Sequence, residues 1–166
     1  MRTPVRIALS TVLLAACVLA QSKKGYSGPR PPKPDLPYLL HATELIPTEV
    51  GEAREDKRKD EVANVLSGAS STAKTPLPEP IFLLSAEKLS AEKLELYKMS
   101  VKNGGREVSV PNNPKKRGKD TARPLRLGVT RLEAGLYRVE VGEILEPGEY
   151  CLTPQGDNRV FCFQVY

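Results

Sequence analysis

Apolar residues fall into short runs along this chain, and turn-forming residues separate the runs. From Pro37 onward this pattern is typical of an all-β domain. We predict strands over residues 38–43, 48–54, 61–66, 80–84, 94–101, 106–110, 124–132, 136–141, 148–153 and 159–165. So many short strands within about 130 residues predict a two-sheet antiparallel sandwich over residues 38–166.

The charged stretch TEVGEAREDKRKDEVANVL, residues 48–66, fits two structures. Its glutamate and lysine content favours a helix, but such a helix would lack an apolar stripe because only Ala53 is apolar in its centre. A hairpin turning at Lys57-Arg58 fits better. It sets favourable cross-strand pairs opposite each other, Arg54 with Glu61 and Val50 with Val65.

The tandem repeat SAEKLSAEKL, residues 85–94, lies between two predicted strands. Its leucines stand five residues apart, a spacing that fits neither a helical stripe nor a strand face. We predict one short helical turn here, with Ser85 or Ser90 as its cap.

The chain ends in EYCLTPQGDNRVFCFQVY, residues 149–166, which predicts a β-hairpin with its loop at residues 155–158. This pairing sets Cys151 opposite Cys162, near enough for a disulfide. It places five side chains on the other, core-facing side of the ribbon: Tyr150, Leu152, Phe161, Phe163 and Val165. Zinc needs four ligands, and redox dithiols usually stand two residues apart at a helix start, so we predict a structural disulfide.

The first twenty residues, MRTPVRIALSTVLLAACVLA, have the features of an export signal. Arg2 and Arg6 precede an apolar run that ends among small residues. The run is shorter than the roughly 20 residues that span a bilayer. We therefore expect an exported protein, periplasmic or secreted.

Two processing routes fit this signal, and both stay open. Leu14-Ala15-Ala16-Cys17 resembles the lipoprotein box, in which Cys17 is acylated and becomes the N-terminus. Acyl chains would then anchor the protein to a membrane. The alternative is ordinary cleavage after Ala20, which removes Cys17 with the peptide.

Residues 21–37, QSKKGYSGPRPPKPDLP, are rich in proline, glycine and lysine and have little to bury. Proline favours extended polyproline geometry, so we predict a flexible tether in front of the domain. A plain disordered tail is the alternative.

Charge and aromatic content narrow the classes of partner. Removing Arg2 and Arg6 with the signal lowers the formal net charge from +5 to +3, so the mature protein is mildly basic. The chain has no tryptophan and 5% aromatic residues, and it therefore lacks the stacking platforms of general single-strand nucleic-acid binders. We predict no nucleic-acid partner and no membrane contact other than a lipid anchor at Cys17.

Catalytic and metal-binding patterns are weak. His41 is the sole histidine, so histidine-based metal sites cannot form, and an enzyme that uses His41 is the least favoured alternative. No serine stands in a nucleophile elbow and no glycine-rich phosphate loop is present. We predict no catalytic residue, no metal and no cofactor.

One segment concentrates positive charge. Residues 111–126, PNNPKKRGKDTARPLR, contain a single acid, Asp120, and six cations: Lys115, Lys116, Arg117, Lys119, Arg123 and Arg126. The simplest interpretation is a solvated loop that protects strand edges from aggregation. The sharper one is contact between residues 112–126 and an anionic envelope polymer or lipid head groups.

The stretch LEPGEYCL, residues 145–152, followed by the closing strand VFCFQVY, resembles the end of β-sandwich domains found in many exported bacterial proteins of unassigned function. The upstream runs IFLL, LELYKM and REVSV extend this likeness over residues 80–166. The chain is more distantly similar to prealbumin-like modules of the carboxypeptidase regulatory type. The resemblance implies an immunoglobulin-like or prealbumin-like sandwich and brings no catalytic residues; the cysteine pair belongs to neither pattern.

These observations together predict a non-catalytic, exported, envelope-associated binding or accessory module. We expect its partner to be an envelope polymer or a protein.

Overall fold

The computed structural model describes residues 25–111 and 121–166. Within these residues the chain is all-β, with thirteen strands and one short 3-10 turn, Ala91–Lys93. The strands are β1 (Tyr38–His41), β2 (Glu44–Pro47), β3 (Glu49–Glu52), β4 (Arg54–Lys57), β5 (Glu61–Ser67), β6 (Lys74–Thr75), β7 (Ile81–Ser85), β8 (Leu94–Lys102), β9 (Gly105–Pro111), β10 (Leu127–Glu133), β11 (Leu136–Val141), β12 (Gly148–Pro154) and β13 (Arg159–Val165).

Two sheets pack face to face, which confirms the predicted two-sheet sandwich. The smaller sheet has the strand order β10-β11-β7-β1-β2, and the larger has the order β3-β13-β12-β8-β9-β5-β4. All of these neighbours are antiparallel, and β6 adds a short parallel pair beside β13. The core between the sheets is apolar, and Phe163 lies edge-on to Phe82 from the opposite sheet, with ring centroids 5.1 Å apart.

The C-terminal hairpin has the predicted register. Leu152 pairs with Phe161, Cys151 with Cys162, and Tyr150 with Phe163. The five side chains predicted to face the core all lie in the cluster between the sheets. Because side chains alternate along a strand, this register also fixes the cysteines on the opposite face.

Residues 48–66 form strands, so the hairpin prediction is confirmed and the helix alternative is wrong. The predicted register is also wrong. The turn is centred on residues 59 and 60, two residues later than predicted, and is closed by a hydrogen bond from Arg58 N to Glu61 O at 2.8 Å. The chain bends at Ala53. The observed pairs are therefore Arg54 with Val65 and Val50 with Phe161.

Other boundaries differ in detail. The predicted strand 38–43 ends at His41 because Ala42 adopts a left-handed backbone conformation, φ 53°, and the chain reverses into β2. The helical turn predicted in residues 85–94 is confirmed at Ala91–Lys93. Ser90 precedes it, but its hydroxyl bonds the Glu92 carboxylate at 3.2 Å instead of capping a backbone N–H.

The larger sheet curls until its two edges meet. One edge is β3 and the other is β4, and only Ala53 separates them in the chain. Residues 49–57 are thus one bent strand whose first half pairs with β13 and whose second half pairs with β5. We call this closed arrangement the rolled sheet. Its concave side encloses a second interior, on the face away from the sandwich core.

A glycine in the bent strand allows close packing across this interior. A Cβ atom at Gly51 would stand 2.6 Å from Leu66 Cδ1 and 3.5 Å from Val160 Cγ2. A larger residue would therefore displace the buried Leu66 side chain of β5 and crowd Val160 on the adjacent strand β13.

A short segment fills a gap where two neighbouring strands of the wall, β8 and β9, diverge. β8 pairs with β9 only over Ser100–Lys102, and its earlier residues pair with β12. Ala122 N donates to Ser109 O of β9, and Leu125 N donates to Leu96 O of β8, both at 2.7 Å. Residues 121–125 therefore bridge the two diverging strands.

The segment before β1 is held on the domain. Asp35 Oδ1 accepts three backbone N–H bonds, each 2.9 Å long, from Glu87, Lys88 and Leu89. Burial alone would raise the pKa of this carboxyl, but the three N–H groups outweigh burial and lower the pKa below its ordinary value. Arg30 also pairs with Glu133. The folded domain therefore begins several residues before the predicted boundary at residue 38. The flexible tether stays a prediction only for the residues that precede Arg30 in the chain.

Candidate functional site

The predicted disulfide joins Cys151 and Cys162, with the Cα atoms 4.0 Å apart. Both cysteines are buried, at 2% and 0% exposure, although they face away from the sandwich core. They lie instead in a second apolar cluster, inside the rolled sheet, with Leu66, Met99 and Val160. The disulfide therefore lies on the floor of the second interior.

The concave side of the rolled sheet holds a half-open cavity of about 510 Å³. We call it the pocket. It is lined by Ala53 and Glu55 of the bent strand, by the inner faces of β5, β8, β9 and β12, and by the hairpin loop 155–158. Its size is within the range of small-molecule sites, about 300 to 1,000 Å³.

The floor of the pocket is apolar. Cys151 contributes the disulfide, and the surrounding side chains come from four different strands: Leu66, Met99, Val108 and Val160. Each of these four is less than 10% exposed, so the floor is both deep and assembled from residues far apart in sequence. A ligand that reached it would remove apolar surface from water, about 25 cal/mol per Å².

The mouth of the pocket is polar and acidic. Glu95 accepts hydrogen bonds from Tyr97 Oη at 2.8 Å and from Gln155 Nε2 at 3.0 Å, and these bonds fix the direction of its carboxylate. Asp157 pairs with Arg159 at 2.7 Å, which lowers the pKa of the Asp157 carboxyl. Glu55 also lines the mouth, on the bent strand.

A buried ion cluster closes the other end of the rolled sheet. Arg106, 1% exposed, donates to the Glu49 carboxylate, to Gly68 O at 2.8 Å and to Ser67 O at 3.2 Å. Its Nη1 faces Glu149 at 3.6 Å, and that Glu149 carboxylate accepts the backbone N–H of residue 71. The cluster ties the loop after β5 to β3, β9 and β12 and so closes this end.

The cluster also shifts the ionisation of Glu49. Burial alone would raise the pKa of this carboxyl, but hydrogen bonds from the Arg106 guanidinium and the Thr72 N–H outweigh burial and lower it. Glu49 is therefore ionised in the folded protein at neutral pH.

His41 lies at the end of β1, away from the pocket. Its Nε2 is 2.8 Å from the hydroxyl of Thr75, which also accepts the Leu77 N–H. Neither the pocket nor the two smaller cavities, which are lined by residues of 58–122 and 123–143, includes His41. An enzyme based on His41 therefore stays an untested prediction.

The basic segment is described only in part. Lys115, Lys116, Arg117 and Lys119 lie outside the described residues. Arg123 and Arg126 are exposed beside a shallow cavity that also includes Glu143, and that carboxylate accepts the Arg126 backbone N–H at 3.0 Å. The predicted cation patch therefore stays a prediction, and its two described members have an acid for a neighbour.

Metal binding and membrane anchoring receive no new support. In residues 25–111 and 121–166, no set of three or more histidine, cysteine, aspartate or glutamate side chains is placed to bind a metal. No helix in the described part of the chain is long and apolar enough to span a membrane. Cys17 and the export signal lie outside the described residues, so lipidation stays a prediction.

The pocket was not predicted from the sequence, although one sequence pattern is consistent with it. Residues 160–163, VFCF, are apolar at every position, which indicates a strand buried on both faces. That pattern alone gives neither the strand order nor the bend at Ala53 that closes the sheet. Comparison with known proteins adds no assignment: no protein-family model, curated protein or solved structure matches this chain.

Proposed function

We propose that the protein is an exported, non-catalytic module that binds a small molecule with an apolar body in the pocket. One observation carries the proposal: the rolled sheet holds a half-open cavity of about 510 Å³ with a buried apolar floor and a polar mouth. Apolar cavities with a few convergent polar groups are the usual form of a ligand site.

The chemistry of the pocket favours binding over catalysis. Its described lining contains no histidine, serine or lysine, and Cys151 is joined to Cys162. Glu95 already accepts two hydrogen bonds from neighbouring side chains. A carboxylate fixed in this way is suited to orient a ligand.

Two observations support export. The first twenty residues have the features of a signal, and the fold contains a disulfide in its second interior. Disulfides persist in oxidising compartments outside the cytosol. Mass spectrometry of the native protein tests this part of the proposal: a mature N-terminus at Gln21 or at an acylated Cys17 supports export, and an intact Met1 contradicts it.

Binding is tested with an uncharged probe, 4-phenylbutanol, titrated into ¹⁵N-labelled mature protein. We expect amide shift changes at Met99, Val108 and Val160, which surround the floor. An Asn64→Phe variant, which adds a ring to the pocket wall, should weaken the binding at least about fivefold. Thr130→Phe adds the same ring to the exposed edge strand β10 and should leave binding unchanged. Shift changes spread elsewhere, or no binding at millimolar probe, would reject the pocket as a ligand site.

The alternative function, binding of an anionic polymer through residues 112–126, is tested separately. Replacing the six cations of that segment with serine should abolish binding to anionic liposomes and acidic glycans if the alternative holds. Unchanged binding would exclude it.

A further inference from the structure

The mouth of the pocket carries negative charge in a protein that is positive overall. Glu55, Glu95 and Asp157 line it, and no lysine or arginine does so among the described residues. Asp157 is neutralised by Arg159, but no described cation lies within ion-pair distance of Glu55 or Glu95. The full chain has a formal net charge of +5. Among the described residues, the charge that lines the mouth is therefore opposite in sign to the net charge of the chain.

The carboxylate of Glu95 is held in place from two sides. Tyr97, on the same strand, bonds one oxygen, and Gln155, from the hairpin loop, bonds the other. Each carboxylate oxygen can accept a further hydrogen bond. Glu95 is half-buried beside the apolar floor, where a charge-assisted bond is stronger than in bulk water.

We propose that the pocket binds a small amphipathic amine, an inference that rests on the proposed function. Its ammonium group binds at the mouth, next to Glu95 and Glu55, and its aliphatic or aromatic body lies on the floor formed around the disulfide. The two carboxylates would repel an anionic ligand of the same shape, and a neutral alcohol would gain the apolar contact and a hydrogen bond weaker than that of an ammonium group.

The test compares three probes that differ in charge but hardly in shape: 4-phenylbutylamine, 4-phenylbutanol and 4-phenylbutyrate. Isothermal titration of the mature, disulfide-bonded protein at pH 7 gives the three dissociation constants. We expect the amine to bind about five to ten times more tightly than the alcohol, and the alcohol more tightly than the carboxylate. The advantage of the amine should shrink when salt is raised from about 50 mM to about 500 mM, because salt screens exposed charge.

Charge-neutral variants locate the preference. Glu95→Gln and Glu55→Gln should each reduce the advantage of the amine at least about twofold, and the double variant should remove it. Glu79→Gln, in an exposed loop outside the pocket, is the matched control and should change nothing. Unchanged affinity for the alcohol shows that each variant is folded and that its pocket is intact.

The outcomes separate this inference from the proposed function. Equal affinity for amine and alcohol, both in the pocket, would overturn the amine inference and leave a ligand site of neutral preference. Tighter binding of the carboxylate would overturn it as well. If none of the three probes reached the pocket, the proposed function would fail together with the inference.

Discussion

Replacing Arg106 with methionine should destabilise the protein strongly, because this side chain is the positive centre of the buried ion cluster. Methionine is unbranched like arginine but is shorter and has no charge and no donor. The change removes the bonds to Gly68 O and Ser67 O and the partner of two carboxylates, Glu49 and Glu149. Glu149 is 4% exposed, so water cannot replace the lost guanidinium.

The structure sets the size of the effect. Removing one partner of a buried ion pair costs about 3 to 5 kcal/mol, because it leaves a buried charge uncompensated. The Glu49 side chain keeps 21% of its exposure, so solvent screens part of its charge, and we expect the lower part of that range, about 3 to 4 kcal/mol. For a domain of this size the midpoint of thermal unfolding should fall by roughly 6 to 16 °C.

Urea unfolding at pH 7, followed by tyrosine fluorescence, measures the loss, since the chain has six tyrosines and no tryptophan. A triple variant, Arg106→Met with Glu49→Gln and Glu149→Gln, is the control. It removes both carboxylate charges and should recover at least half of the lost stability. A loss below about 1 kcal/mol in the single variant, or no recovery in the triple variant, would refute the uncompensated-charge explanation.

Three further predictions concern the staple, pH and the N-terminal segment. Cys151→Ala with Cys162→Ala opens a loop with a sequence separation of 11 and should cost about 3 kcal/mol in urea unfolding; dithiothreitol should then affect only the parent protein. Because the folded-state pKa of Glu49 is lowered, its stabilising contribution is present above the ordinary value of 4.5 and is lost as the pH falls below it. A Glu49→Gln variant should therefore lose less stability than the parent between about pH 6 and about pH 3, and a steeper loss would contradict this. Asp35→Ala removes the acceptor of three N–H bonds and should cost about 1 to 3 kcal/mol and speed proteolysis within residues 25–37; unchanged cleavage would show that these bonds do not hold the segment.

The local sequence pattern was sufficient to predict the C-terminal hairpin. The alternation of apolar residues, the turn at residues 155–158 and the opposed cysteines all specify one register, and the structure has it. The partners are close in sequence, so one turn fixes every pair.

Residues 48–66 show why the rest was not predictable from local pattern. Val50 pairs with Phe161, more than a hundred residues away, and no local feature indicates that partner. The pocket has the same origin, because it exists only where the bent strand joins the two ends of one sheet. Its polar members, such as Glu95 and Gln155, read in sequence as ordinary surface residues.

A crystal structure of the mature protein with 4-phenylbutylamine tests the central claim most directly, namely that the rolled sheet encloses a binding site. We predict the phenyl ring against Met99, Val108 and Val160 above the disulfide, with the ammonium nitrogen within hydrogen-bond distance of the Glu95 carboxylate. A larger sheet whose edges β3 and β4 stand apart, or an amine that lies outside the cavity, would contradict the account.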